Sequence, residues 1–321
     1  MAILSNTEFG ILRLTISRAQ KRNSINAEMF DTMTEALSRA ASDDAVRVVL
    51  LQGGEQIFSA GADLEEMRSQ PEVLDRAMTN FFAALRAFPK PVVAQVMGPC
   101  VGDALSMLLY CDLVYASERA LFSLPCVALG QTTRFGSAFI MAAAAGLPRA
   151  TEKLMLSEPI TAAEALEMRI ITGIADDESL DNLVASKVAR LAVLPPGAVR
   201  AMKALLTGPR NKALEVAAEE EEAVWRRQAG SAEAAEALGC LPRRPQARLP
   251  PRIILRPFSA PKARTILVRA LFWCIPFRPP LDPVRPRLLL LQGTLLVAFC
   301  SSTLPQSFQR SNLFTLAVLA R

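Results

Sequence analysis

The chain has 321 residues, is 51% hydrophobic and 21% charged, and carries a formal net charge of +5, so one large domain or two can bury a substantial core. It contains no histidine, which excludes Ser-His-Asp and Cys-His catalysis, histidine general bases and most zinc sites. Acid–base work would fall to carboxylates, cysteine, tyrosine, lysine or water, and no metal site is expected.

Residues 9–17 read as a strand, with the apolar run ILRLTI at 11–16. Residues 21–26 form a polar loop in which Asn26 is a plausible N-cap, and Met29, Phe30, Met33 and Leu37 then follow at helical spacing. Residues 46–51 are nearly all apolar, as in a parallel strand covered on both faces. The stretch 58–67, FSAGADLEEM, is a small-residue turn leading into a helix from about Leu64. Phe81, Phe82, Leu85 and Phe88 line a helix that ends before Pro89. Residues 91–96 are the next strand, 98–102 (GPCVG) a second glycine-bearing turn, 103–110 a helix and 111–116 a strand. This alternation predicts an α/β core with crossover helices.

Further helices are predicted over 138–145, 150–156 and 161–168, the last opened by a Thr161/Glu164 capping box, and over 180–193. Pro195-Pro-Gly marks a break, after which the pattern is helical to Leu238. The organisation is an α/β core over 1–195, a helical region over 196–239, and a tail over 240–321. That tail holds 12 arginines and Lys262 against the single acid Asp282, whereas residues 1–239 hold 23 basic against 30 acidic residues. The tail also carries 12 of the 22 prolines. Its composition reads as a frame-shifted or read-through translation of GC-rich sequence, or else as a genuine basic, membrane-surface or nucleic-acid-binding tail. The six cysteines lack paired spacing and suit a reducing, cytoplasmic compartment. Residues 1–8 run straight into strand-like sequence without a leader, and no apolar stretch is long enough to span a bilayer. Stable membrane insertion and nucleic-acid binding by the body are therefore not expected.

The chemistry points to the two small-residue turns. A strand, a small turn and a helix start aim backbone N–H groups at a ligand, and Ser59, Ala60, Gly61 and Ala62 let another molecule approach the main chain closely. The plainer reading is a tight βα connection. Two such turns, if they converge, supply two N–H donors to a developing oxyanion, with the positive end of the helix at Asp103 behind them. No P-loop and no G-x-G-x-x-G occurs.

Several segments in order carry a resemblance: 18–29, 58–67, 90–98 (KPVVAQVMG), 111–117 (CDLVYAS), 157–166 (SEPITAAEAL) and 231–236. Over about residues 5–238 the chain resembles the enoyl-CoA hydratase/isomerase (crotonase) family. The resemblance implies a spiral of ββα units with a C-terminal helical trimerisation region, and assembly as a homotrimer or dimer of trimers. It also implies an acyl-CoA or enoyl-CoA thioester as ligand in fatty-acid or related acyl-CoA metabolism, with no cofactor beyond the coenzyme A of the substrate. The family's oxyanion-hole N–H groups fall on Ala62 and on Asp103, where a glycine is usual. Either the Asp103 side chain turns away or it compromises the hole; with a pKa raised by burial it could also serve as a base. Lys21, Arg22, Ser24, Ala60, Ala62, Asp63, Leu64 and Gly102 should border the coenzyme A moiety, and Lys21 or Arg22 could reach a phosphate.

The two glutamates of the hydratases are replaced by Ser106 and Cys126. Residues 122–131 look more like the isomerase branch, whose glutamate aligns near Arg134, which would instead bind an anion or be exposed. Cys126 reads as a buried structural thiol and Ser106 as a packing residue. The implied function is polarisation of a thioester carbonyl toward an enolate. The alternatives are double-bond isomerisation with an atypical base, or a catalytically impaired acyl-CoA binder.

Overall fold

The computed structural model describes residues 3–240 and two short strands, 289–291 and 294–296. The tail readings for 241–321 otherwise lie outside the described residues. The chain divides into two units, 1–270 and 271–321. In the second, Leu289–Leu291 and Thr294–Leu296 form an antiparallel hairpin.

The first unit opens with a hairpin. Strands β1 (Ile3–Glu8) and β2 (Ile11–Ile16) pair antiparallel. Phe9 and Gly10 turn between them, both at positive φ (52° and 81°), as a two-residue hairpin turn requires. The expected strand over 9–17 is corrected here: Phe9 is the turn, 93% exposed, and an extra strand precedes it. The aromatic at position 9 masked a turn that Gly10 alone signalled.

Parallel strands β3 (Val48–Gln52), β4 (Val92–Val96), β5 (Pro99–Val101), β6 (Leu113–Ser117), β7 (Leu121–Ser123) and β9 (Gly173–Ala175), with the two-residue β8 (Ile160–Thr161), complete the unit. The main sheet runs β1-β2-β3-β4-β6-β9 and is parallel from β2 onward. A smaller sheet runs β5-β7-β8. Strand β3 shows why its sequence is apolar throughout. Val49 and Leu51 pack into one cluster with Phe30 and Met33 of α1 (Ala27–Ser42) and Phe81 of α3 (Pro71–Ala87). Val48 and Leu50 pack into another with Leu180, Val184 and Val188 of α8 (Asp177–Val193).

Helices α2 (Leu64–Ser69) and α4 (Asp103–Leu108) each begin at one of the glycine-bearing turns. Helices α5 (Ser137–Ala145), α6 (Leu147–Met155) and α7 (Ala162–Glu167) follow, then α9 (Pro196–Ala229) and α10 (Ala232–Cys240). The Asn26 cap of α1 and the Thr161/Glu164 capping box are present. Helix α8 begins at Asp177, capped by the Asp176 carboxylate on the Ser179 N–H, ahead of the first periodic apolar residue at Leu180. Helix α4 ends at Leu108 and β6 begins at Leu113, so Tyr110 and Cys111 belong to the link between them. Among the described residues no helix is long and apolar enough to cross a membrane.

Candidate active site

Residues 58–63 and 99–103 lie against each other as two main-chain ribbons. The Phe58 and Ser59 N–H groups donate to the Pro99 carbonyl, and the Val101 N–H donates back to Ser59. On the other side, Ala60 N–H donates to Arg22, Ile25 N–H to Gly61, and Asp63 N–H to Ile25. Gly102 N–H goes to Ser123, and the Gly61 N–H to the Ser59 hydroxyl at 3.0 Å. Among residues 58–63 and 101–103 that accounting leaves two amides without a backbone or hydroxyl acceptor, Ala62 and Asp103.

Gly61 is what brings them together. Its φ is +86°, and a Cβ there would lie 2.6 Å from the Val101 carbonyl oxygen and 3.2 Å from the Asp103 nitrogen. Only a residue without a side chain allows this approach. Gly102 needs glycine for a different reason: its φ of 61° with ψ of −134° is nearly closed to other residues, although a Cβ there would meet nothing within 4 Å.

The Ala62 and Asp103 N–H groups favour the anionic form of the Asp103 carboxyl. The residue keeps partial surface exposure. Burial raises its pKa above the ordinary aspartate value; the Arg134 charge and the two amides offset part of that rise.

The residues expected beside coenzyme A flank this pair. Residues 18–24 are held by the Asn23 side chain, whose Oδ1 accepts from the Arg18 N–H at 2.8 Å and whose Nδ2 donates to the Ile57 carbonyl at 2.9 Å. Asp63 is turned inward. It caps α2 through the Glu65 N–H and takes a 2.7 Å hydrogen bond from Arg18. Burial opposes its charge, but Arg18, the Glu65 amide and Lys21 outweigh it and hold the carboxyl below its usual pKa. Lys21 lies 2.5 Å from Glu65 and 3.9 Å from Asp63. Ser24 is buried, and its hydroxyl accepts from Arg18. Leu64 and Arg22 are exposed and Ala60 is partly so.

The acid–base positions are engaged in packing. Ser106 is 2% exposed and accepts from the Ser137 hydroxyl at 2.9 Å. The Cys126 thiol is pushed up to about 12, first by burial and then by the nearby Asp103 and Glu221 charges. Arg134 corrects the expectation of an exposed or ligand-binding cation. It is 6% exposed, donates to Glu222 through Nε at 3.0 Å and Nη2 at 2.8 Å, and lies 2.5 Å from Asp75 without hydrogen-bond alignment. Its guanidinium also lies over the Trp225 ring at 3.8 Å and the Phe135 ring at 4.5 Å, and Phe135 stacks on Phe82 at 3.9 Å.

One carboxylate in this neighbourhood was not anticipated. Glu221 reaches in from α9 and accepts from the Ser137 and Ala138 N–H groups at 3.1 and 2.7 Å and from the Thr133 hydroxyl at 3.2 Å. Burial raises its pKa, and those donors only partly offset the rise. It caps α5. Lying 84 residues from Ser137, it gave no local signal. Among the described residues no group of three metal-ligating side chains is present.

The geometry agrees with the comparisons. A family model described as enoyl-CoA hydratase/isomerase matches residues 6–239. The chain belongs to the enoyl-CoA hydratase/isomerase family. It is 32% identical over 226 residues to "Enoyl-CoA delta isomerase 2" of Rattus norvegicus, a match covering 68% of this chain and 58% of that protein. It is 29% identical over 207 residues to "2,3-dehydroadipyl-CoA hydratase" of Escherichia coli, covering 64% of this chain and 81% of that one. The chain thus spans little more than half the length of the first of these relatives. Among solved structures, Pseudomonas aeruginosa OdaA is 36% identical with a TM-score of 0.70, covering 74% of this chain and 97% of that one. An enoyl-CoA hydratase/isomerase from Pseudoalteromonas atlantica has a TM-score of 0.71 at 29% identity, with coverage of 74% and 96%.

Proposed function

We propose that the chain binds a coenzyme A thioester at the Ala62/Asp103 amide pair and polarises its carbonyl toward an enolate. The observation that carries this reading is the Gly61 approach, which presses the turn before Ala62 against the backbone of residues 101–103. Two such donors, fixed in advance and backed by the α4 N-terminus, favour charge developing on an acyl oxygen. The family relatives named for enoyl-CoA chemistry support the same substrate class.

Between the reactions of such relatives, double-bond isomerisation suits the site better than hydration. Hydration needs groups to deliver a water and a proton on either side of the double bond, and Ser106 and Cys126 offer no carboxylate; isomerisation needs one base to carry a proton from C2 to C4, and the Asp103 carboxyl, its pKa raised by burial, is the candidate for that transfer. A second reading, an acyl-CoA binder with impaired turnover, is favoured by the Ser106–Ser137 hydrogen bond and by the full engagement of Arg134. The test is a crotonyl-CoA hydration assay beside a 3-enoyl-CoA isomerisation assay on the full chain, with calorimetric binding of both esters. Isomerisation without hydration is expected. Binding without turnover would favour the second reading, and no binding would overturn both.

The same reading makes Met202, Leu205 and Leu206 of α9 a self-association face, since all three are more than half exposed and lie at i, i+3 and i+4. A homotrimer or dimer of trimers is expected by light scattering; a monomer would remove that part.

A further inference from the structure

At the other end of α4 from the glycine turns, a half-open cavity of about 320 Å³ lies between the α4–β6 link, α5, residues 169–172 and α9. None of residues 58–63 or 99–103 lines it. Its wall is apolar: Leu108, Leu109, Val114, Ile140, Ile170 and Ile171 contribute, and all six are buried. Its polar groups are mostly unused donors. Arg169 and Arg210 both line it, and neither is in an ion pair among the described residues. The Arg210 Nε is shut off from solvent and has no acceptor among the described residues. Its Nη2 reaches the Asn211 side chain only at 3.4 Å. A buried donor in this state is costly, and in a folded protein it calls for an explanation. The Thr172 hydroxyl accepts from the Val114 N–H at 2.9 Å and donates to none of the described residues. The lining carboxylate, Asp112, is already met by the Val92 N–H and by Lys203, each at 2.7 Å. Burial raises the Cys111 thiol well above its ordinary pKa, so it adds no negative charge. Arg169 also sits at a φ of +58°, where glycine would be relaxed and a longer residue is strained.

We propose that this cavity binds a short aliphatic carboxylate, its tail on the apolar wall and its charge shared by Arg169, Arg210 and the Thr172 hydroxyl. Guanidinium groups form short, charge-assisted hydrogen bonds to carboxylate oxygens. An apolar pocket with a few placed polar groups is the common form of a small-molecule site. At roughly 30 Å³ for each water-sized atom the space takes about ten of them, which is the size of octanoate. The site is independent of the acyl-CoA reading: its ligand is a free acid, and it shares no residue with the Ala62/Asp103 pair.

The test is calorimetric binding of octanoate, octanol and acetate to the full chain at pH 7, in wild type, Arg210→Gln and Arg169→Gly. The glycine variant relaxes the backbone at its position, so a loss of binding there does not come from unfolding. Octanoate should bind about ten-fold tighter than octanol, which lacks the charge, and than acetate, which lacks the tail. Each variant should weaken octanoate by about ten-fold and leave crotonyl-CoA binding within about two-fold. Octanoate that binds no tighter than octanol, that is unaffected by either substitution, or that is displaced by crotonyl-CoA overturns the proposal. If octanoate behaves as expected and crotonyl-CoA does not bind at all, this site stands and the acyl-CoA reading is what fails.

Discussion

At the turns of Gly61 and Gly102 the proposed chemistry would be carried by main chain, whereas at Ser106, Cys126 and Arg134 it would have to be carried by side chains. The first region has a close approach of the Gly61 turn to residues 101–103 that a single methyl would block. In the second, the side chains are spent on hydrogen bonds, ion pairs and ring contacts within the protein. A backbone site is protected by the fold, because its donors cannot be substituted away. A side-chain site has no such protection, and each position can be turned to packing. The contrast predicts that substitutions in the second region act on stability, while those in the first act on ligand binding.

The largest effect should come from Arg134→Ala. It leaves Glu222 and Asp75 without their shared cation and removes the guanidinium from between Trp225 and Phe135. Glu222 keeps Arg226 and both carboxylates are partly exposed, so the loss is expected at about 3 kcal/mol, toward the low end for a broken buried pair, which urea unfolding would read directly. Lysine should not rescue it, because it lacks the planar fork that meets a carboxylate and stacks on a ring. A near-neutral Arg134→Ala would mean that this region is not structural, and the comparison would break.

Gly61→Ala should come next and should sharpen the contrast. The new Cβ meets the Val101 carbonyl at 2.6 Å, so the ribbons must part or the turn must change its φ. The expected outcome is a loss of about 1–3 kcal/mol in stability and a fall of about 10²-fold in any acyl-CoA turnover. Full activity with an intact fold would show that the amide pair is not where the carbonyl binds.

How much of this could be read in advance follows the same division. The glycine turns, the strand buried on both faces and the Thr161/Glu164 capping box are local patterns, and each signals itself within a few residues. The Arg134–Glu222 pair spans 88 residues, and Glu221 caps a helix that begins far upstream of it. A single sequence holds no information linking such positions. The Phe9–Gly10 turn was missed for a simpler reason: an apolar residue occupied a turn position.

Asp63 offers a smaller effect with a definite pH signature. Its folded pKa is depressed, so its contribution to stability is fully present above the unfolded value, about 3.9, and is lost as pH falls through the lower folded value. Asp63→Asn should cost about 1–2 kcal/mol at pH 7, from the weakened α2 cap and the lost Arg18 pair. The gap between wild type and variant should shrink below about pH 4. A constant gap across that range would show that the Arg18 interaction does not depend on the carboxylate's charge.

The smallest effect is expected at Cys126, and it separates a packed thiol from a nucleophile. With its pKa pushed up to about 12, roughly 10⁻⁴ of the group is thiolate at pH 8, and the thiolate is the reactive form. Burial is the main cause, and the neighbouring Asp103 and Glu221 charges act in the same direction. No histidine exists in the chain to take its proton. Brief iodoacetamide treatment of the folded protein, mapped by mass spectrometry, should therefore leave Cys126 unmodified. Cys126→Ala should keep any turnover within about two-fold, because the position supplies volume and not a proton. Rapid alkylation at Cys126 together with a large loss of turnover in the alanine variant would move this residue from the packed region to the reactive one.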